Sequence, residues 1–280
     1  MLHAFEPFTI SPVLKVKLDK SSSQPTTPSL PTIMILKVFD RRFARDLRAW
    51  HNAAELTQEF EDQFRSFVAS GAANKTLDEW EAERSIAEEL DKDHPPLEME
   101  AFLMALLSSY HDNEIKIYNR LAALQGISIP FFYGQVKFVP DEIHPNTFDI
   151  SMLGILLEYI EGETLSSLPA SIMSNDICSA CVDVVNACGD AGVLNKDVSL
   201  ENFIVPLVSL GVETRPARPR LVVMIDFAQC RLRHEDEDDK QWKAAKWEVD
   251  EEGAVGYPLK KRFGCDYRPS RRYMVVEPDD

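Results

Sequence analysis

Apolar and polar residues alternate over residues 13–18 (VLKVKL), the period of two expected of a half-buried strand. A Ser/Thr/Pro loop over residues 21–31 leads into a second strand predicted over 32–39, so residues 1–45 read as a small sheet. From 46 to 110 the spacing becomes helical, with Leu56, Phe60, Phe64 and Phe67 on one face. Thr76 with Glu79 has the form of a capping box opening a helix to Leu90, and Pro95-Pro96 separate it from the next. That next helix is predicted over 97–124, broken at His111-Asp112-Asn113. The runs IPFFYGQVKF and ISMLGILLEYIEG are strand-like. Ser174 or Asn175 can cap a helix carrying Ile177, Cys181, Val184, Val185 and Cys188, ending near Gly189 or Gly192. Two short strands follow, 203–208 and 221–225, around a loop with Thr214, Pro216 and Pro219. Trp242 and Trp247 mark one last amphipathic helix before a basic tail, PLKKRFGCDYRPSRRY.

The hairpin over 203–225 carries the candidate chemistry. Asp197 precedes its first strand, Asn202 stands five residues later, and Asp226 closes its second strand. Two acids and an amide at one mouth of a hairpin supply the hard oxygen ligands that gather around Mg²⁺ and a transferable phosphate. A surface loop followed by an ordinary hairpin is the plainer alternative. Lys37 lies inside an apolar strand, where an ammonium needs a partner unless the strand is an edge that turns it to water.

These residues resemble the protein-kinase-like superfamily, and more closely its fungal branch beside the small-molecule (aminoglycoside and choline type) kinases. Asp197-x-x-x-x-Asn202 matches the catalytic loop, and Asp226-Phe227-Ala228 stands where the family has D-F-G. The resemblance implies ATP and Mg²⁺ as cofactors. It makes Asp197 the group that accepts or orients the proton of the attacking hydroxyl, and Asn202 and Asp226 the metal ligands. Lys37 becomes the strand lysine on the nucleotide phosphates and Glu114 its helix partner, Glu114 otherwise being a first-turn acid. Glu158 to Ile160 would cross a hinge whose main chain meets the adenine. The chain departs from the family in having no glycine before Gly71, Asn195 where His or Tyr is usual, Ser199 where protein kinases tend to carry lysine, and no A-P-E sequence.

The implied fold is α+β and two-lobed. Residues 1–160 form a small antiparallel-sheet lobe, with an acidic helical insertion over 46–110, and residues 161–280 a reduced helical lobe, only 54 residues following Asp226. The insertion holds 15 acidic against 5 basic residues, within a net charge of −16. It is predicted as solvated helix faces or as a docking surface for a basic protein partner. The same charge argues against nucleic-acid binding, and no apolar run is long enough for a membrane span. Cys178-x-x-Cys181 has no second Cys or His pair after it, so the five cysteines are expected as reduced thiols, Cys181 and Cys188 as small core residues, of a cytoplasmic or nuclear protein, the basic tail being either a nuclear address or a plain charged end. Three readings stand: an ATP:Mg²⁺ phosphotransferase acting on a protein or small-molecule hydroxyl, a pseudokinase scaffold, and an unrelated α+β interaction domain.

Overall fold

In a computed structural model, strands β1 (His3–Phe5), β2 (Val13–Lys17) and β3 (Ile33–Phe39) form an antiparallel run in which Val13 faces Lys37 and Lys17 faces Ile33. The structure describes residues 1–6, 8–19, 30–82, 94–138, 150–207 and 220–274. The predicted loop with Thr214, Pro216 and Pro219, and the stretch toward Leu90, lie outside the described residues. The chain divides into two compact units, residues 1–112 with 133–157, and residues 113–132 with 158–280.

In the first unit, β3 is followed by α1 (Arg45–Trp50), α2 (Gln58–Ala69), α3 (Ala72–Ala82) and α4 (Pro96–Arg120), the last crossing into the second unit at Asn113. Then come β4 (Phe132–Phe138) and β5 (Met152–Glu158), which complete a five-stranded sheet in the order β1-β2-β3-β5-β4. The strand with Lys37 is therefore interior, and Lys37 is 3% exposed. The open-edge alternative for this lysine is removed. Thr57 caps α2 by accepting from the Phe60 N–H, and Phe64 and Val68 on its buried face pack with Ala73 and Ala101.

Two sequence expectations change here. Thr76 sits inside α3 rather than at its start, because the chain already turns helical at Ala72. The helix α4 runs unbroken through His111, Asp112 and Asn113. The acidic block is also not uniformly solvated. Arg41 takes both oxygens of Glu61, at 2.9 and 2.8 Å, and also pairs with Glu100. Arg48 reaches the same fully buried Glu100 at 2.7 Å. A buried carboxylate needs such matched cations, since its desolvation otherwise exceeds what the fold supplies.

In the second unit, β6 (Gly162–Thr164) precedes α5 (Asn175–Asp190), whose cap is Ser174 accepting from the Ile177 N–H at 3.2 Å. Next are β7 (Val193–Asn195), β8 (Phe203–Pro206), β9 (Val223–Met224) and β10 (Cys230–Leu232). Strands β6, β8 and β9 make one antiparallel sheet, and β7 with β10 a two-stranded ribbon in which Asn195 faces Cys230. Gly162 is required at the β6–β8 contact, because a Cβ there would stand 2.3 Å from the Val205 carbonyl oxygen. The end of the chain holds two helices, not one: α6 (Asp239–Val249) and α7 (Glu251–Phe263). Asp250, at φ 49°, turns the corner between them and caps α7 by accepting from Gly253. Part of the basic tail is thus helical, with Val255 and Leu259 buried. Burial pushes the Cys178 and Cys188 thiols up to about 12, so they serve as small apolar residues rather than as reactive thiolates. No helix among the described residues is long and apolar enough to cross a membrane.

Candidate functional site

The site is built from two loops of the second unit, braced by the last turns of α4. The first leaves β7 at Asn195, whose backbone geometry is fixed from below by α7. The Asn195 N–H donates to Glu251 Oε1 at 2.6 Å, and Glu251 in turn pairs with Lys246 of α6. Both partners are nearly fully buried, at 2% and 3% exposure. Burial raises the Glu251 carboxyl against the downward pull of Lys246 and the Asn195 N–H. The ammonium lies against the rings of Trp242 and Tyr273, 5.9 and 5.0 Å from their centroids. Gly189 makes room for it, since a Cβ there would come 2.7 Å from Lys246 Nζ. The Asn195 side chain then passes the constraint on, its Oδ1 accepting from the Asp197 N–H at 2.8 Å. A hydrogen-bonding residue at 195 therefore does brace the loop.

Asp197 is exposed. Its carbonyl accepts from Asn202 Nδ2 at 2.8 Å, and its Oδ2 accepts from Gln229 Nε2 at 3.2 Å. With its amide nitrogen committed to that carbonyl, Asn202 has Oδ1 as the atom it could offer to a metal. The β8–β9 register pairs Phe203 with Met224, and the Ile225 N–H donates to the Asn202 carbonyl at 2.8 Å. Asp226 is thus the residue just beyond the one facing Asn202, and the two metal-ligand candidates are neighbours across the strands.

Asp226 has φ 64°, in the left-handed region that side chains seldom enter. Such a residue persists only where its surroundings hold it. Here its own Oδ1 accepts from the Ala228 N–H at 3.3 Å, an aspartate-type turn. The last turns of α4 hold the peptides that follow. Glu114 Oε1 accepts from the Phe227 N–H at 3.3 Å, and Asn113 Nδ2 donates to the carbonyls of Ala228 and Cys230 at 2.9 and 2.5 Å. The Phe227 ring is fully buried edge-on against Tyr118, 5.2 Å between centroids. Ala228 fits this turn without the freedom of glycine because its neighbours are held by side chains.

The structure thus brings Glu114, Asp197, Asn202 and Asp226 around one loop cluster. Glu158 has a local task, its Oε2 accepting from the Phe131 N–H at 3.1 Å and from Arg220 at 2.9 Å. The Glu158 N–H is taken by the Phe131 carbonyl at 2.9 Å, and Ile160 lies two residues on, half-buried. Lys37 belongs to the first unit. Asn113, Gln229, Lys246 and Glu251 were not legible as site residues. The partners of Asn113, Gln229 and Glu251 in the site lie 32 to 117 positions away in sequence, and Lys246 reaches it only through Glu251.

Next to this cluster, Arg231 of β10 binds Glu237 through two bonds of 2.8 Å and holds its carboxyl down at about 2, from an ordinary 4.5. A carboxyl depressed in the folded state stabilises above its free value and loses that contribution as pH falls. Glu237→Gln is therefore expected to cost most above about pH 4.5, roughly 1 kcal/mol for this partly buried pair, with the deficit fading as pH falls toward 2. Circular dichroism along a pH titration measures it.

No protein-family profile matches the chain, and no curated protein matches it by sequence. Among solved structures, the chain is similar to the Rio2 kinase–ADP/Mg²⁺–phosphoaspartate complex of Chaetomium thermophilum, at TM-score 0.52 and 11% identity over 97% of this chain and 58% of that one. It is also matched to the bifunctional kinase-methyltransferase WbdD, at TM-score 0.34 and 17% identity over 54% of this chain and 29% of that one. The chain spans little more than half of the Rio2 structure it matches. The fold is protein-kinase-like, mixed α and β with an antiparallel sheet and a helical part.

Proposed function

We propose that this chain is a phosphotransferase that uses ATP and Mg²⁺ to phosphorylate a hydroxyl of a protein or small molecule. The observation that carries the reading is the meeting of Asp197, Asn202 and Asp226 at one strand mouth, with Asp226 in a left-handed conformation and the peptides that follow it held by Asn113 and Glu114. Among the described residues, no group of three or more His, Cys, Asp or Glu side chains could hold a metal ion. Two protein oxygens suit Mg²⁺, which commonly keeps water and takes substrate phosphates for its remaining positions. Bound there, the ion would neutralise charge on the transferring phosphoryl group. Asp197 accepts or orients the hydroxyl proton, and Lys37 takes the phosphate-binding role that the resemblance assigns it. Glu158 to Ile160 supply main-chain contacts to the adenine through groups other than the Glu158 N–H, which the Phe131 carbonyl takes. The small lobe is assigned to residues 1–160 and the reduced lobe to 161–280, in a fungal-type branch of the superfamily and in the cytoplasm or nucleus.

A second reading, a pseudokinase scaffold, is favoured by one observation: no glycine precedes Gly71, so β2 and β3 are joined without the Cβ-free backbone that approaches phosphate closely. A basic protein partner would then dock on the acidic block over 46–110. Incubation with γ-labelled ATP, Mg²⁺ and a panel of hydroxyl acceptors separates the two. Label transferred to an acceptor and lowered at least about 100-fold in Asp197→Asn supports the enzyme. ATP binding with no transfer under any condition supports the scaffold. The Rio2 complex contains phosphoaspartate, so label retained on this chain is also tested with hydroxylamine, which cleaves acyl phosphates.

A further inference from the structure

Gln229 is the residue in the site whose position the motif resemblance does not explain. It directly follows Asp226-Phe227-Ala228, and both flanking carbonyls, those of Ala228 and Cys230, are held by the single Asn113 amide. Pairing of Cys230 with Asn195 then sets Gln229 beside the loop that carries Asp197. From there its Nε2 stands 3.2 Å from Asp197 Oδ2. Asp197 is consequently fixed at three points: its N–H by Asn195, its carbonyl by Asn202, and its carboxylate by Gln229.

Resting on the phosphotransferase reading, we propose that Gln229 is a positioning residue that turns the second carboxylate oxygen of Asp197 toward the acceptor hydroxyl. The chemistry favours an amide for this task. Lysine or arginine at 229 would also anchor Oδ2, but a cation draws a carboxylate toward a weaker base and would compete for the phosphate oxygens. A neutral N–H donor fixes orientation while leaving most of the basicity. The rate gain from fixed geometry is large because a small misplacement of a reacting group is costly. The same bond ties the loop of the candidate base to the loop of the candidate metal ligand. It therefore aligns the two with each other as well as with the substrate.

The test compares wild type with Gln229→Ala, Gln229→Glu and Gln229→His. Alanine and glutamate remove the donor, glutamate while preserving shape, and histidine restores an N–H of similar reach. The expected result is a roughly 10-fold or greater fall in kcat with KM for ATP unchanged in the first two, and partial recovery in the third. In parallel, the ¹H–¹⁵N signal of the Gln229 side-chain amide is expected to move in Asp197→Ala. Equal kcat in wild type and Gln229→Ala, or a rise in KM alone, overturns the proposal. So does an amide signal indifferent to Asp197→Ala. Should wild type transfer no phosphate, the enzymatic reading fails, and the amide signal still decides separately whether Gln229 holds Asp197.

Discussion

Asp226→Ala is expected to weaken Mg²⁺-dependent ATP binding by roughly 100-fold or more in a calorimetric titration, close to 3 kcal/mol. The reason lies in the number of protein ligands. In the proposed site the two metal ligands are Asn202 and Asp226, and of these Asp226 carries the charge. Asp226→Asn sharpens the experiment, because asparagine tolerates the left-handed backbone and can keep the local turn to Ala228. Binding lost in both variants isolates the carboxylate charge. Loss in alanine alone indicates that the turn was the important part. Binding that ignores both the metal and the substitutions identifies a nucleotide-responsive scaffold, and an absence of binding in wild type removes the nucleotide site altogether.

The second large effect concerns the support beneath the loop. Glu251→Ala should lower stability by about 3–5 kcal/mol, a large share of the 5–15 kcal/mol typical of a domain. It leaves the Lys246 ammonium buried without its carboxylate and the Asn195 N–H without its acceptor. The double replacement Lys246→Met with Glu251→Leu is expected to recover much of the loss, since two matched charges cost desolvation that an apolar pair avoids. Urea unfolding at unchanged m-value measures both. A single-variant cost below about 1 kcal/mol would show that the pair does not support the loop. Any activity should nevertheless stay low in the double variant, because the peptide of Asn195, and through it Asp197, has lost its anchor.

These two regions differ in how far the sequence disclosed them. Asp197, Asn202 and Asp226 were legible because a short loop and a hairpin set their spacing, and local chemistry brings them together. The Ser174 cap and the alternation over β2 were legible for the same local reason. The expected break at His111-Asp112-Asn113 failed because a tertiary bond outweighs propensity. Asn113 is a poor helix former, but its side chain is spent on two carbonyls 115 and 117 positions away. Lys246 and Glu251 were hidden in a stretch dense with charge, where nothing local separates a buried pair from solvated neighbours. The helix α7 was hidden by Pro258, which sits within it although proline ordinarily ends helices.

The arginines beside β3 give the acidic block a different status from that of a solvated surface module. Arg41 and Arg48 arise from the segment just after the Lys37 strand, and their carboxylates, Glu61 and Glu100, arise from α2 and α4. Excising the block would strand the Arg41 guanidinium in the interior, and removing the arginines would strand Glu100. Neither half can be lost first without penalty. The block therefore behaves as a ratchet: with its carboxylates serving as counterions of the Arg41 side chain, it cannot be trimmed in a single step without leaving a buried charge unmatched.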